Sequence, residues 1–224
     1  MKFYNDSIFD FNKECLLSSV YVEELKEKIY FIDDVFLHPH QIYEYWSSFP
    51  IKSHKVCIGE TLNGKDFMDG RAKSELPLDN YNNLLEFNIH KLVKRIYGKE
   101  NWDNLRDTRA ANQFYLLKNC PENKVWWPHS DFDNENKSVI NVITYLNPQI
   151  KNGPGTSLYI SNPNYKQIGF EHINPWIDET NFKQILSIFG YFNRMVIFPG
   201  SITHGMTVSN IFKNFVRIVQ VQFI

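Results

Sequence analysis

The sequence predicts a mainly β protein with flanking helices, in which the second half forms a sandwich or jelly roll. Short runs rich in β-branched and aromatic residues follow one another from about residue 110, and turn residues such as Gly, Pro and Asn separate them. The absence of a strand–helix–strand rhythm argues against a parallel α/β sheet. Strands are expected over 113–117, 125–131, 138–146, 156–160, 191–198 and 215–224.

The first 108 residues are expected to be mainly helical cover for this core, with one initial strand. The clearest helix is a run of hydrophobic residues at helical spacing that ends before Gly98. We predict a single domain over residues 1–224, with its jelly-roll core over 109–224. The expected elements are an arm over 1–20, a short helix over 22–28, a strand over 29–36, a helix over 39–48, a loop over 50–76 and a helix over 78–97.

Composition excludes several classes of protein. Lys and Arg total 24 against 25 Asp and Glu, which is not the basic surface that a duplex nucleic-acid binder needs. The three cysteines form no Cys-x-x-Cys pair, and the N-terminal residues lack the apolar run of a signal peptide. No apolar run approaches the length of a membrane span. The expected protein is therefore soluble and cytoplasmic, with reduced thiols.

A candidate metal site begins at His129-Ser130-Asp131, at the end of an alternating run. Side chains at positions i and i+2 of a strand point to the same face, with Cα atoms about 6.5 Å apart, so this pair can bind one metal ion. A chain with seven His and 25 acidic residues produces such a pair by chance, so the strand context is what gives it weight. An acid on an interior face also needs a partner or a metal.

His204 is the candidate for a third ligand. It follows a strand and the turn Pro199-Gly200-Ser201, whereas a lone histidine in such a place is more often a hydrogen-bonded structural residue. The remaining histidines lack a strand context, and the pair His38 and His40 at a helix start is expected to lie on the surface.

Arg217 indicates that an anion binds near these residues. In the last strand it shares parity with Phe215, Val219, Val221 and Phe223, while Gln220 and Gln222 lie on the opposite face. A buried guanidinium stays charged and needs a carboxylate or phosphate partner. The partner is either an internal Asp or Glu or an anionic ligand inside the barrel.

These motifs, taken in order, resemble the prolyl-4-hydroxylase-like branch of the 2-oxoglutarate- and Fe(II)-dependent dioxygenases. Two His and one carboxylate with open positions form the facial triad of non-haem Fe(II) oxygenases. The resemblance covers roughly residues 110–224 and the start of the chain at Tyr30-Phe31-Ile32-Asp33-Asp34. Its elements are His129-Ser130-Asp131, Tyr145-Leu146-Asn147, Gly155-Thr156-Ser157-Leu158-Tyr159, Phe198-Pro199, His204-Gly205 and Arg217.

The resemblance implies a double-stranded β-helix that holds Fe(II) through His129, Asp131 and His204. It also implies that Arg217 pairs with the distal carboxylate of 2-oxoglutarate and that Tyr145 contacts the same co-substrate. The implied activity is hydroxylation of a protein side chain, a peptide or a small metabolite, with O2 consumed and succinate and CO2 released. An intact Asp131 favours hydroxylation over halogenation.

Two alternatives remain open from the residues alone. One is a cupin-like metal enzyme that does not use 2-oxoglutarate, and the other is a ligand-binding β-helix protein with an inactive site. The aromatic-rich connection over 161–190, with one helix near 180–188, is a candidate lid over the metal, with Trp126 and Trp127 at the mouth. The aromatic residues could equally pack this connection against the core.

Overall fold

Two antiparallel sheets and two α-helices form most of the described part of the chain. The computed structural model describes residues 6–48, 52–53, 71–74, 81–98, 111–115, 122–131, 139–150, 153–165, 176–207 and 217–224. The helices are α1 (Pro39–Ser47) and α2 (Tyr81–Tyr97). The strands are β1 (Leu16–Val22), β2 (Glu27–Asp33), β3 (Lys52–Ser53), β4 (Arg71–Ser74), β5 (Ala111–Tyr115), β6 (Lys124–His129), β7 (Ile140–Tyr145), β8 (Pro154–Ser161), β9 (Trp176–Asp178), β10 (Phe182–Phe189), β11 (Arg194–Pro199), β12 (His204–Met206) and β13 (Arg217–Phe223).

The strand order establishes the architecture of the core. The larger sheet has the order β1-β2-β11-β7-β13-β5-β4-β3, and the smaller has the order β10-β8-β12-β6-β9. From β5 to β13 the chain passes between the two sheets, apart from the β8–β9–β10 segment, which stays in the smaller one. Sheets connected in this way form a jelly roll. The fold is a double-stranded β-helix, as predicted.

The larger sheet is covered on both faces, which explains why β7 and β13 are buried along almost their whole length. Ile143 and Val219 belong to the cluster between the sheets. Val142 and Ile218, one residue away in each strand, belong to the cluster that includes Trp46 of α1 and the buried residues of α2. The alternation of side chains along a strand thus serves two cores.

The two long helices confirm the sequence prediction. Helix α1 begins with Pro39 in its first turn, where the missing backbone N–H of proline costs no hydrogen bond. Helix α2 ends at Tyr97, and Gly98 adopts the left-handed φ of +63° that commonly ends helices. Among the described residues no helix combines the length and apolar character needed to cross a bilayer.

Both short helices predicted from the sequence are wrong. The segment 22–28 is the turn of a hairpin in which β1 pairs with β2 from Leu16↔Asp33 to Val22↔Glu27. The segment 180–188 is mostly β10, which pairs with β8. In both places pairing with a neighbouring strand prevails over weak local periodicity, because the hydrogen bonds of the sheet come from outside the segment.

The first half contributes more strand than expected. The expected arm over 1–20 includes most of β1, an edge strand of the larger sheet, and the described residues of the expected loop 50–76 form β3 and β4. The remainder of that loop and the start of the helix expected from residue 78 lie outside the described residues. The division into one domain over 1–224 stays a prediction.

Candidate metal centre

Three side chains converge where β6 and β12 lie next to each other in the smaller sheet. His129 is the last residue of β6 and His204 the first of β12, and the two are paired residues in the ladder. Asp131 follows β6 by two residues. One ligand atom from each of these three residues lies within 4.8 Å of the other two, which is close enough to hold one metal ion. The structure therefore brings together the three residues that the sequence singled out.

The histidine tautomers suit metal binding. His129 Nδ1 is 2.8 Å from the carbonyl oxygen of Trp127, and His204 Nδ1 is 2.9 Å from that of Ile202. A carbonyl only accepts, so each Nδ1 carries a proton, and Nε2 is the ring nitrogen that faces the centre and can ligate a metal ion when it carries no proton. The Nε2 atoms of His129 and His204 lie 3.7 and 3.2 Å from the carboxylate oxygens of Asp131. Two nitrogen donors and one oxygen donor thus converge, which is the donor set of a facial triad.

Asp131 is held as a carboxylate. Burial would raise its pKa, but the hydrogen bond with His204, the charges of His129 and His204 and the hydrogen bond from Asn141 outweigh burial and leave the pKa well below its ordinary value. Its backbone N–H donates to the carbonyl of Gly200 at 2.8 Å. The acid is therefore ionised at neutral pH, as a metal ligand must be.

The end of β6 is distorted beside the site. Trp127 has a φ of +34°, which is unfavourable for a non-glycine residue, and the pairing of β12 with β6 shifts register between His204 and Met206. The indole of Trp127 stacks on the His129 ring at a centroid distance of 4.5 Å. Such strain is often found at functional sites, where the surrounding structure holds it.

Arg217 and Tyr145 lie together inside the barrel, and the interior position of Arg217 is the one predicted from its strand neighbours. Arg217 is only 4% exposed, and its Nη2 donates to the carbonyl of Gly155 at 2.9 Å. Its guanidinium carbon is 5.7 Å from the centre of the Tyr145 ring. The Tyr145 hydroxyl donates to Thr156 Oγ1 at 2.7 Å, and burial raises the pKa of Tyr145.

Strand β7 connects Tyr145 and Arg217 with the three converging side chains. Asn141, which contacts Asp131, and Tyr145, which contacts the guanidinium, are four residues apart on one face of β7, or about 13 Å along the strand. Arg217 and the candidate metal centre therefore lie along the same interior face.

The described parts of the candidate lid are mostly strands of the smaller sheet, which favours the alternative that its aromatic residues pack against the core. Trp176 belongs to β9, and Phe182 begins β10, so both are parts of the smaller sheet. Trp126 is 4% exposed and packs edge-to-face on Trp176 at 4.9 Å, so it does not line a mouth. Only Trp127 of the pair flanks the site. The middle of the connection, residues 166–175, lies outside the described residues.

Other sequence candidates lie apart from the centre or cannot be placed. His40 packs on Phe192 at a ring distance of 4.7 Å, away from the three ligand candidates. His54 and His172 lie outside the described residues. The two glutamines of β13, Gln220 and Gln222, lie on the face opposite Arg217 as expected, and that face is buried too.

Sequence reasoning missed two residues that support the site. Asn141 is a polar residue within the apolar run of β7, which is a signal that could have been noticed. The sequence marks Gly200 only as a turn residue, whereas its backbone is hydrogen-bonded to both Asp131 and Val139. The contacts of both residues with Asp131 depend on the fold and not on the local sequence.

No protein-family model and no curated protein matches the sequence. Similar folds occur among solved structures. One is a prolyl hydroxylase from Trichoplax adhaerens in complex with a hypoxia-inducible factor oxygen degradation domain peptide, with 14% identity, a TM-score of 0.47 and coverage of 82% of this chain and 74% of that one. The chain resembles prolyl hydroxylases in overall structure. A prolyl-4-hydroxylase from Pseudomonas putida is similar over 93% of this chain and 91% of its own, with 9% identity and a TM-score of 0.43.

Proposed function

We propose that this protein is a 2-oxoglutarate- and Fe(II)-dependent oxygenase that hydroxylates a protein or peptide side chain or a small metabolite. The observation that carries the proposal is the convergence of His129 Nε2, His204 Nε2 and the Asp131 carboxylate in the smaller sheet. A buried cation on the same interior face supports the choice of co-substrate.

His129, Asp131 and His204 would hold Fe(II) from one side, and so leave other coordination positions for small ligands. Bound iron and 2-oxoglutarate would together supply the oxidation of a C–H bond by O2, with release of succinate and CO2. The Nδ1–H bonds to Trp127 and Ile202 keep both imidazole rings oriented with Nε2 towards the centre.

Arg217 would bind the distal carboxylate of 2-oxoglutarate, because a buried guanidinium offers a planar set of donors to a carboxylate. Its bond to the Gly155 carbonyl limits how the guanidinium can turn. The hydroxyl of Tyr145 donates to Thr156, so its ring is fixed as a wall of the same pocket, where it would contact the co-substrate. The surrounding apolar side chains would keep bulk water away from the oxidation.

The test is an anaerobic titration of the metal-free protein with Fe(II) and then 2-oxoglutarate, followed through the weak visible charge-transfer band of a keto-acid chelate. We expect the wild-type protein to show the band and His204→Ala to lose it with the metal. Arg217→Ala should still bind Fe(II) but need at least about 30-fold more 2-oxoglutarate, because one partner of a buried charge pair is gone.

His40→Ala serves as the control, since His40 packs on Phe192 outside the site and should titrate as wild type. Fe(II) binding without any band would refute the use of 2-oxoglutarate and support a cupin-like metal enzyme. A wild-type protein that binds no Fe(II) would refute the metal centre and support a ligand-binding β-helix protein with an inactive site.

A further inference from the structure

Asn141 stands out among the buried residues of β7. It is fully buried, and Ile140, Val142 and Ile143 surround it in sequence. Burying a carboxamide is costly unless its polar atoms are bonded. The contacts that the Asn141 side chain makes should therefore explain why a carboxamide is buried in this strand.

Those contacts are with the candidate metal ligands. Asn141 Nδ2 donates to Asp131 Oδ2 at 2.8 Å and lies 3.3 Å from His204 Nε2. The amide nitrogen is the atom that faces Asp131, since a carboxylate oxygen accepts a hydrogen bond from the Asn141 Nδ2–H. Asn141 Oδ1 is buried and has no hydrogen-bond partner, so within the described residues the side chain bonds only at this centre.

The two contacts differ in whether they can persist when a metal ion binds. The shorter one uses a lone pair of Asp131 Oδ2 and leaves Oδ1 free to ligate. The longer one faces His204 Nε2, the atom that would ligate a metal ion. The hydrogen bond to Asp131 can therefore persist in the metal-bound protein, whereas the contact with His204 would be replaced.

We propose that Asn141 is a positioning residue for the metal centre, which orients the Asp131 carboxylate so that it ligates through Oδ1 alone. This inference rests on the metal centre of the proposed function but not on 2-oxoglutarate or on the substrate. By holding Oδ2, Asn141 would keep Asp131 to one coordination position and the remaining positions open for exogenous ligands.

The probe is Co(II), whose visible absorption reports the number and geometry of its ligands. Asn141→Leu keeps the approximate size and removes the donor. We expect its Co(II) affinity to fall by about 10–100-fold, as is typical when a residue that orients a metal ligand is lost. We also expect the visible spectrum at saturating Co(II) to change. A purely structural role would lower the melting temperature and leave that spectrum as in wild type.

The matched control is Thr144→Val, which deletes a fully buried polar group from the other face of the same strand. It should bind Co(II) with wild-type affinity and spectrum. If Asn141→Leu does not fold, Asn141→Thr tests the same point, since its hydroxyl is one bond too short to replace the amide and the same losses are expected.

Wild-type affinity and spectrum in a folded Asn141 variant would overturn the positioning role and leave the metal centre intact. A wild-type protein that binds no Co(II) would instead refute the metal centre itself, and the role of Asn141 would fall with it. The two failures are therefore distinguishable within one set of titrations.

Discussion

Gly200 is the residue where a single added methyl group should disturb the metal centre most directly. It lies in the turn after β11, donates its N–H to the Val139 carbonyl and accepts the Asp131 N–H at its own carbonyl. A Cβ atom at this position would be 2.7 Å from the Asp131 carbonyl oxygen and 2.8 Å from both the carbonyl oxygen and Cγ2 of Val139. Two of these three contacts are with backbone, so the neighbours cannot move away as a flexible side chain would.

The effect of Gly200→Ala combines two opposing contributions. Replacing glycine restricts the unfolded chain and by itself would stabilise the fold by about 0.4–1 kcal/mol. Overpacking of this kind typically costs about 1–3 kcal/mol. The clash is with rigid backbone, so we expect a net loss of about 1–2 kcal/mol, and a melting temperature lower by about 2–8 °C for a domain of this size. Because relief of the clash moves Asp131, Co(II) affinity should fall by about 10-fold or more.

Thermal unfolding followed by circular dichroism and a Co(II) titration measure these two effects. Ser201→Ala is the control, because Ser201 is the exposed residue next to Gly200 and the substitution leaves the backbone of the turn unchanged. This variant should resemble wild type in both measurements. A Gly200→Ala protein with wild-type melting temperature and wild-type Co(II) affinity would refute the close packing of this turn against Asp131.

Two further predictions concern regions away from the metal centre. Gln222 is 1% exposed, and neither amide atom finds a hydrogen-bond partner in the described part of the chain. Gln222→Met should therefore raise the free energy of unfolding, measured by urea denaturation, by about 1–3 kcal/mol. A loss of stability would show that the amide is hydrogen-bonded in solution. The pKa of Asp178 is lowered from 3.8 to about 2 by hydrogen bonds from Thr180 and Lys124, so this carboxylate stabilises the fold above pH 3.8 and loses that effect as the pH falls towards 2. In an NMR titration the carboxyl carbon of Asp178 should therefore show a midpoint near pH 2. Asp178→Asn should weaken the acid dependence of the melting temperature. An NMR midpoint near pH 3.8 would contradict the hydrogen bonds to this carboxylate.

Much of the core was predictable because its local signals are strong. Runs of β-branched residues such as 138–146 form strands almost wherever they occur in a folded core, and helix α2 carries both helical periodicity and the glycine that ends it. His129 and Asp131 could be paired from their spacing at the end of an alternating run, because side chains two residues apart in an extended chain lie on the same face. The burial of Arg217 followed from its apolar strand neighbours.

Long-range pairing decided what the sequence could not. The segment 180–188 is a strand only because β8 supplies its hydrogen bonds, and β1 forms a hairpin where a short helix was expected. The positive φ of Trp127 likewise occurs where the pairing of β6 with β12 shifts register. In each case weak local preferences of a fraction of a kcal/mol per residue yield to partners elsewhere in the chain.

The candidate site, like the fold, was predictable from the sequence only in part. The sequence by itself determined which residue types are present for metal and anion binding, and the order in which they occur. The tertiary structure alone placed His204 beside His129 through the pairing of β12 with β6, and Asn141 and Gly200 against Asp131. Residues far apart in the chain become neighbours only when the sheets close, because contact between their side chains requires the whole barrel and is not encoded in any one segment.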